Sequence, residues 1–153
     1  MKLYVMRHAQ ASFNAPSDRE RQLTESGIQQ TKEILALHKG DLASVNLLWS
    51  SDLFRAQQTA GLVAEVLGFK VSEKPFLTPD GHISQVLTEI QHLRADDTLL
   101  IVSHQPLVGE LVSYLVSGNI YQAHPFTTSE ILELEFDYAG PGMARICKQY
   151  LPG

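Results

Sequence analysis

A single cysteine, Cys147, in a chain of 153 residues excludes an intrachain disulfide and any zinc centre built on paired thiolates. It reads as a small hydrophobe near the C-terminal end. Positive charge is scarce as well. With 12 Lys and Arg against 17 Asp and Glu, the net charge of −5 argues against non-specific binding to nucleic acid or to an anionic membrane. Long apolar runs are missing: Leu3-Tyr4-Val5-Met6 is too short for a signal-peptide core or a membrane span, so a cytoplasmic chain is expected. No internal repeat or low-complexity tract is present. The 44% hydrophobic and 19% charged content is that of an ordinary folded chain, and one domain over residues 1–153 is expected.

What the chain does have is three short apolar runs that end in polar chemistry. Leu3-Tyr4-Val5-Met6 stops at Arg7-His8, Thr98 to Val102 stops at Ser103-His104, and Asn46 to Trp49 stops at Ser50-Ser51 with Arg55 just beyond. A cation beside an imidazole at the end of a buried strand is costly unless an anion sits there. Strands are expected at about 2–7, 45–50, 70–74 and 98–103, alternating with helices at 25–38, 51 or 52 to 67, 83–94 and 106–117. Thr24-Glu25-Ser26 caps the first helix, Ile28, Thr31, Ile34, Leu35 and Leu37 form its apolar stripe, Gly68 closes the second, and Pro106 suits the first turn of the fourth. Glu130 to Phe136 alternates polar and apolar, as a half-exposed strand does, and Ala144 to Lys148 completes a hairpin with it. The expected fold is α/β: a three-layer sandwich with a mostly parallel central sheet, helices on both faces and at least one antiparallel strand near the C-terminus.

In such a sheet, ligands bind outside the carboxyl ends of the strands where strand order reverses. Arg7, His8, Ser51, Arg55 and His104 all fall at carboxyl ends. Taken singly, each has an ordinary structural explanation: a histidine hydrogen-bonded at a strand end, or Arg55 paired with Glu65 or Asp52 on the surface. Taken together, two arginines and two histidines on three strand ends suit a phosphoryl group. Guanidinium forks match its oxygens, the helix start carrying Arg55 offers N–H groups, and a neutral imidazole is a competent nucleophile. Arg7 and Arg55 disfavour protonation of His8, and His104 in its protonated form adds a further donor.

Arg7-His8, Ser51-x-x-x-Arg55-Ala56-x-x-Thr59 and Ser103-His104-x-Pro106-Leu107-Val108-Gly109 resemble the histidine phosphatase superfamily, the phosphoglycerate-mutase-like group. The match is closest to its small SixA-type phosphohistidine phosphatase branch. Ser17-Asp18 with Arg21-x-Leu23-Thr24, Leu77-Thr78-Pro79 and Phe126-Thr127-Thr128-Ser129 are similar to that branch too, so the resemblance covers essentially the whole chain. It implies a phosphohydrolase without cofactor or metal, in which His8 is transiently phosphorylated and Arg7, Arg55 and His104 form the phosphate pocket. Asp18, Arg21 and Ser51 are the implied substrate-binding residues. Ala9 departs from the glycine usual in the signature, which bears on how closely backbone can approach.

The glutamate that larger members use as general acid has no counterpart; Asp18, Asp52, Asp80 and Glu110 are the candidates. Expelling an alkoxide gains about 10²–10⁴ from a proton donor, whereas imidazole leaves easily. The expected substrate is therefore phosphohistidine on a phosphorylated protein, with no role for nucleic acid or membrane. A small phosphorylated molecule, turned over by a phosphomonoesterase or mutase of the same superfamily, is the alternative. A non-catalytic phosphate-binding module is a second alternative. A metal hydrolase using His8 and His104 is disfavoured because Arg7 and Arg55 repel a divalent cation and no third ligand is spaced for it.

Overall fold

The computed structural model describes residues 1–153. Three continuous apolar runs become the centre of a six-stranded sheet: β1 (Lys2–Arg7), β2 (Leu47–Ser50) and β4 (Thr98–Ser103). The short β3 (Ser72–Glu73) flanks β2, and β5 (Ile131–Glu135) with β6 (Arg145–Tyr150) extends the other side, in the order β3-β2-β4-β1-β5-β6. β1 to β4 are parallel, and β5 runs antiparallel to both β1 and β6. Four helices cover the sheet: α1 (Glu25–His38), α2 (Phe54–Leu67), α3 (Ile83–Gln91) and α4 (Leu107–Ser117).

Period-two alternation divides the core. Tyr4, Met6, Leu100 and Val102 face Ile34 and Leu35 of α1 and Ala56, Ala60 and Val63 of α2. Leu3, Val5, Leu99 and Ile101 face Val86, Leu87 and Ile90 of α3 and Leu107, Leu111 and Leu115 of α4. The expected three-layer α/β sandwich is therefore present. β1 and β4 are neighbours, yet the chain leaves them by helices on opposite faces, α1 and α4. That divergence opens the crevice at their carboxyl ends.

Local chemistry sets most boundaries. The Thr24 hydroxyl accepts the Gly27 N–H at 2.9 Å and starts α1. Gly68, at φ 80°, ends α2 in the left-handed conformation that glycine adopts without penalty. α2 starts two to three residues later than expected because Ser51 and Asp52 continue the strand exit, and α3 ends at Gln91 rather than 94. Pro106 is the residue just before α4.

Two expectations need correction. Leu37, assigned to the apolar stripe of α1, is exposed. β3 shrinks from five residues to two, since only Trp49 and Ser50 offer it a ladder. The Glu130–Phe136 segment is the half-exposed strand its alternation describes: Leu132, Leu134 and Phe136 are buried on one face while Glu133 is partly exposed and Glu135 exposed on the other, and only its start departs, with Glu130 and Ile131 both buried. No helix is long and apolar enough to cross a membrane.

Candidate active site

The parallel register places Arg7 opposite Ser103, so the next residue on each strand, His8 and His104, emerges side by side, ring centroids 5.0 Å apart. The His8 N–H donates to the Ser103 carbonyl at 2.9 Å and locks that register past the strand ends. Arg7 Nη1 donates to the Phe126 carbonyl at 2.8 Å, tying the guanidinium to the segment between α4 and β5. Arg55, on the first turn of α2 and 4% exposed, donates from Nη1 to the Asp18 carbonyl oxygen at 2.8 Å and from Nη2 to its carboxylate at 3.3 Å. The same carboxylate takes Arg21 Nη1 at 3.3 Å. The bland pairings of Arg55 with Glu65 or Asp52 do not occur; Asp52 pairs with Arg19 instead.

Hydrogen-bond accounting assigns both imidazoles. His8 Nδ1 lies 2.7 Å from the Ala9 carbonyl, which can only accept, so Nδ1 carries the proton and Nε2 the free lone pair. Ala9 is buried, with its own N–H donated to the Thr59 hydroxyl at 3.0 Å, so alanine serves here without backbone conflict. Ser51 Oγ accepts the Leu53 N–H at 3.1 Å and lies 2.8 Å from His104 Nε2, its only other partner. With His104 neutral, the serine hydroxyl donates to Nε2 and the ring proton sits on Nδ1. Ser51 is fully buried behind His104, so the structure sets it against that histidine rather than in the open crevice.

Burial holds His8 at about 4, helped by Arg55, Arg7 and Arg21 and opposed by the Ala9 carbonyl. Burial, His8 and the same arginines push His104 down to about 2. The effect of Arg7 and Arg55 on His8 thus has the expected sign, with desolvation the larger cause. His104 is neutral here, so the donor it offers is the Nδ1–H of this tautomer rather than the additional one a protonated ring would bring. Three guanidinium charges and one carboxylate leave two positive charges at neutral pH, the complement of a dianionic phosphoryl group.

A stability consequence follows. Between about pH 6.5 and 4 the unfolded chain takes up protons that the folded histidines refuse, so stability falls as pH falls, by about 1.4 kcal/mol per pH unit for each such proton. Urea midpoints should be lower at pH 5 than at pH 7, and a His8→Asn variant should show a shallower decline. Equal slopes in the two proteins would contradict it.

Arg7 Nε, Arg55 Nε and His104 Nδ1 are buried and have no partner in the protein. Such orphaned donors are rare and costly, and these three belong to residues brought to one edge of the sheet by the ends of β1 and β4 and the start of α2. The expected acid candidates are engaged elsewhere. Burial raises Asp18, but Arg55 and Arg21 outweigh it and hold the carboxyl below its ordinary range. Asp52 pairs with Arg19, while Asp80 and Glu110 line a separate hollow with His82 and Ile120. No three His, Cys, Asp or Glu side chains come close enough together to hold a metal ion.

Residues 3–78 match the family model of the histidine phosphatase superfamily (branch 1). The chain is 34% identical over 146 residues to phosphohistidine phosphatase SixA of Escherichia coli K12, covering 93% of this chain and 89% of that one. This chain belongs to the histidine phosphatase superfamily. A SixA homolog of Haemophilus influenzae Rd is 32% identical over 144 residues, 86% of this chain and 88% of its own. The solved structure of the protein histidine phosphatase SixA complexed with tungstate superposes with a TM-score of 0.89 at 31% identity, covering 99% of this chain and 97% of that one. The likeness to this histidine phosphatase runs from end to end.

Several parts of the site carried no sequence signal. The carbonyls of Ala9 and Phe126 are backbone groups that any residue supplies. Ser129, at φ 67° in a region most side chains avoid, donates its N–H to the carbonyls of Arg7 and His8 at 3.1 and 3.2 Å. Its hydroxyl meets Thr31 of α1 at 2.9 Å. The quoted Thr59 had a role that only geometry supplies: its hydroxyl donates to the Arg55 carbonyl at 2.8 Å while accepting from Ala9.

Proposed function

We propose that this chain hydrolyses phosphohistidine on a phosphorylated protein, with His8 as the nucleophile. The observation that carries the proposal is the gathering of Arg7, Arg55 and His104, with three donors unpartnered within the chain, at the strand ends beside a histidine whose Nε2 makes no hydrogen bond there. A phosphoryl group set against these residues is matched by the guanidinium charges and meets that lone pair. The related SixA was solved in complex with tungstate, itself a tetrahedral oxyanion, which supports binding of such a group by this fold.

Nε2 attacks phosphorus as the substrate P–N bond breaks, and the departing imidazole keeps the bonding pair and takes a proton from solvent. The phosphorylated His8 ring bears a positive charge, with Nδ1–H on the Ala9 carbonyl to steady it. Water then attacks phosphorus, the P–Nε2 bond breaks, and neutral His8 and inorganic phosphate result. Arg7, Arg55 and His104 hold the oxygens throughout. Arg21 and Asp18 orient Arg55 from the loop, and Ser51 sets the His104 tautomer.

The lack of a proton donor determines the leaving group. We expect kcat/KM for a phosphohistidine peptide to exceed that for phosphoserine or a sugar phosphate by about 10² or more. Side-by-side phosphate-release assays decide the matter, and equal or greater turnover of the esters would overturn the substrate assignment.

A further inference from the structure

Glu130 is the only acidic side chain among the buried residues, 1% exposed, and the proposed chemistry gives it no task. Its Oε1 accepts from the Thr127 N–H at 2.9 Å and the Thr127 hydroxyl at 3.3 Å; its Oε2 accepts from His124 Nε2 at 2.6 Å and Gln149 Nε2 at 2.9 Å. Burial raises its carboxyl, but the donors from Gln149, Thr127 and His124 outweigh that and keep it ionised. A group so enclosed and so held has no proton to give. Nor is stability a sufficient reason for it, because a buried charge pair gains little over apolar packing of the same shape. What four directed hydrogen bonds supply, and packing does not, is a fixed geometry.

The geometry so fixed is that of the turn at 124–130, which is where the site's backbone is gripped. Within it the Phe126 carbonyl receives Arg7 Nη1, the Ser129 N–H reaches the Arg7 and His8 carbonyls, and the Glu130 carbonyl accepts the Arg7 N–H at 3.1 Å. The far end of the turn rests on α4. The Gln105 side chain donates to the His124 carbonyl at 3.0 Å, and a Cβ on Gly109 would lie 2.6 Å from that same oxygen. The His124 ring stands edge-on to Phe126, centroids 4.7 Å apart. The carboxylate therefore gathers α4, the turn and β6 around the peptide that aims Arg7.

We propose that Glu130, with His124 and Gln149 as its outer partners, is a positioning residue that directs the Arg7 guanidinium at the phosphoryl group through the Phe126 carbonyl. The inference rests on Arg7 being a phosphate ligand. A double-mutant cycle tests it, read as the dissociation constant of inorganic phosphate in NMR titrations, which require no turnover. Glu130→Gln puts an NH₂ against the His124 and Gln149 donors and should weaken phosphate about tenfold in the wild-type background. In an Arg7→Ala background the same substitution should change affinity less than about twofold, whereas any loss of thermal stability should appear in both. Should Glu130→Gln fail to fold, His124→Phe removes the 2.6 Å donor and enters the same cycle, with the same loss of effect expected without Arg7. Equal weakening in both backgrounds, or none in the wild type, would overturn the proposal. If Arg7→Ala itself left phosphate binding intact, the assignment of Arg7 would fall first, a result distinct from failure of Glu130 alone.

Discussion

His8→Ala should lower kcat/KM for a phosphohistidine peptide by about 10⁴ or more, and no phosphorylated enzyme should form. The size of the loss comes from the number of conditions that converge on one atom. Burial and three guanidinium groups keep the ring neutral, at about 4, so at physiological pH almost every molecule has a lone pair available. The Ala9 carbonyl then chooses which nitrogen bears it. Alanine at position 8 leaves the orphaned donors in place and removes only the acceptor of the phosphoryl group. Phosphate should accordingly still bind while turnover disappears. Stopped-flow or discontinuous assays of substrate loss, with acid-labile labelling of the enzyme as a second readout, check this; residual activity within tenfold of wild type would exclude His8 as nucleophile.

The next largest effect is expected at Arg55. Arg55→Ala should cost about 10²–10³ in kcat/KM, the magnitude usual for one preorganised donor aimed at developing charge. Arg55→Lys should recover little of it. A lysine is a point charge, whereas Arg55 divides its fork: Nη1 and Nη2 hold Asp18 while the buried Nε stays free. Loss of the fork therefore also frees the Asp18 anchor of the 9–24 loop. Asp18→Asn offers a control, since it keeps an acceptor for Arg55 and should depress activity much less. Measured kcat/KM for the three variants orders them, and a fully active Arg55→Lys enzyme would contradict the fork argument.

Much of the fold was legible because its strongest signals are local. Continuous apolar runs at 2–7 and 98–103 have no reading but buried strands, and the Thr24 cap and Gly68 stop act within one turn. The errors came from tertiary context. Leu37 is apolar but lies off the buried stripe of Thr31, Ile34 and Leu35 and stays exposed, and the 70–74 run keeps only two paired residues because only Trp49 and Ser50 of β2 offer it a ladder. The arginines and histidines of the site were legible as residue types at strand ends. Their partners were not, because the Ala9 and Phe126 carbonyls, the conformation of Ser129 and the reach of Asp18 across to Arg55 are properties of backbone path. Ser51 shows the limit most plainly: the family resemblance implies contact with substrate, while the hydrogen bond its hydroxyl makes is to His104.

The Thr59 hydroxyl, shared between the Ala9 N–H and the Arg55 carbonyl, joins the end of β1 to the first turn of α2 by two hydrogen bonds on one oxygen. On the proposed chemistry, nucleophile and principal cation are thereby spaced by the fold before any substrate arrives. One side chain that plays no part in the proposed chemistry thus fixes how far the strand end and the helix start can move apart.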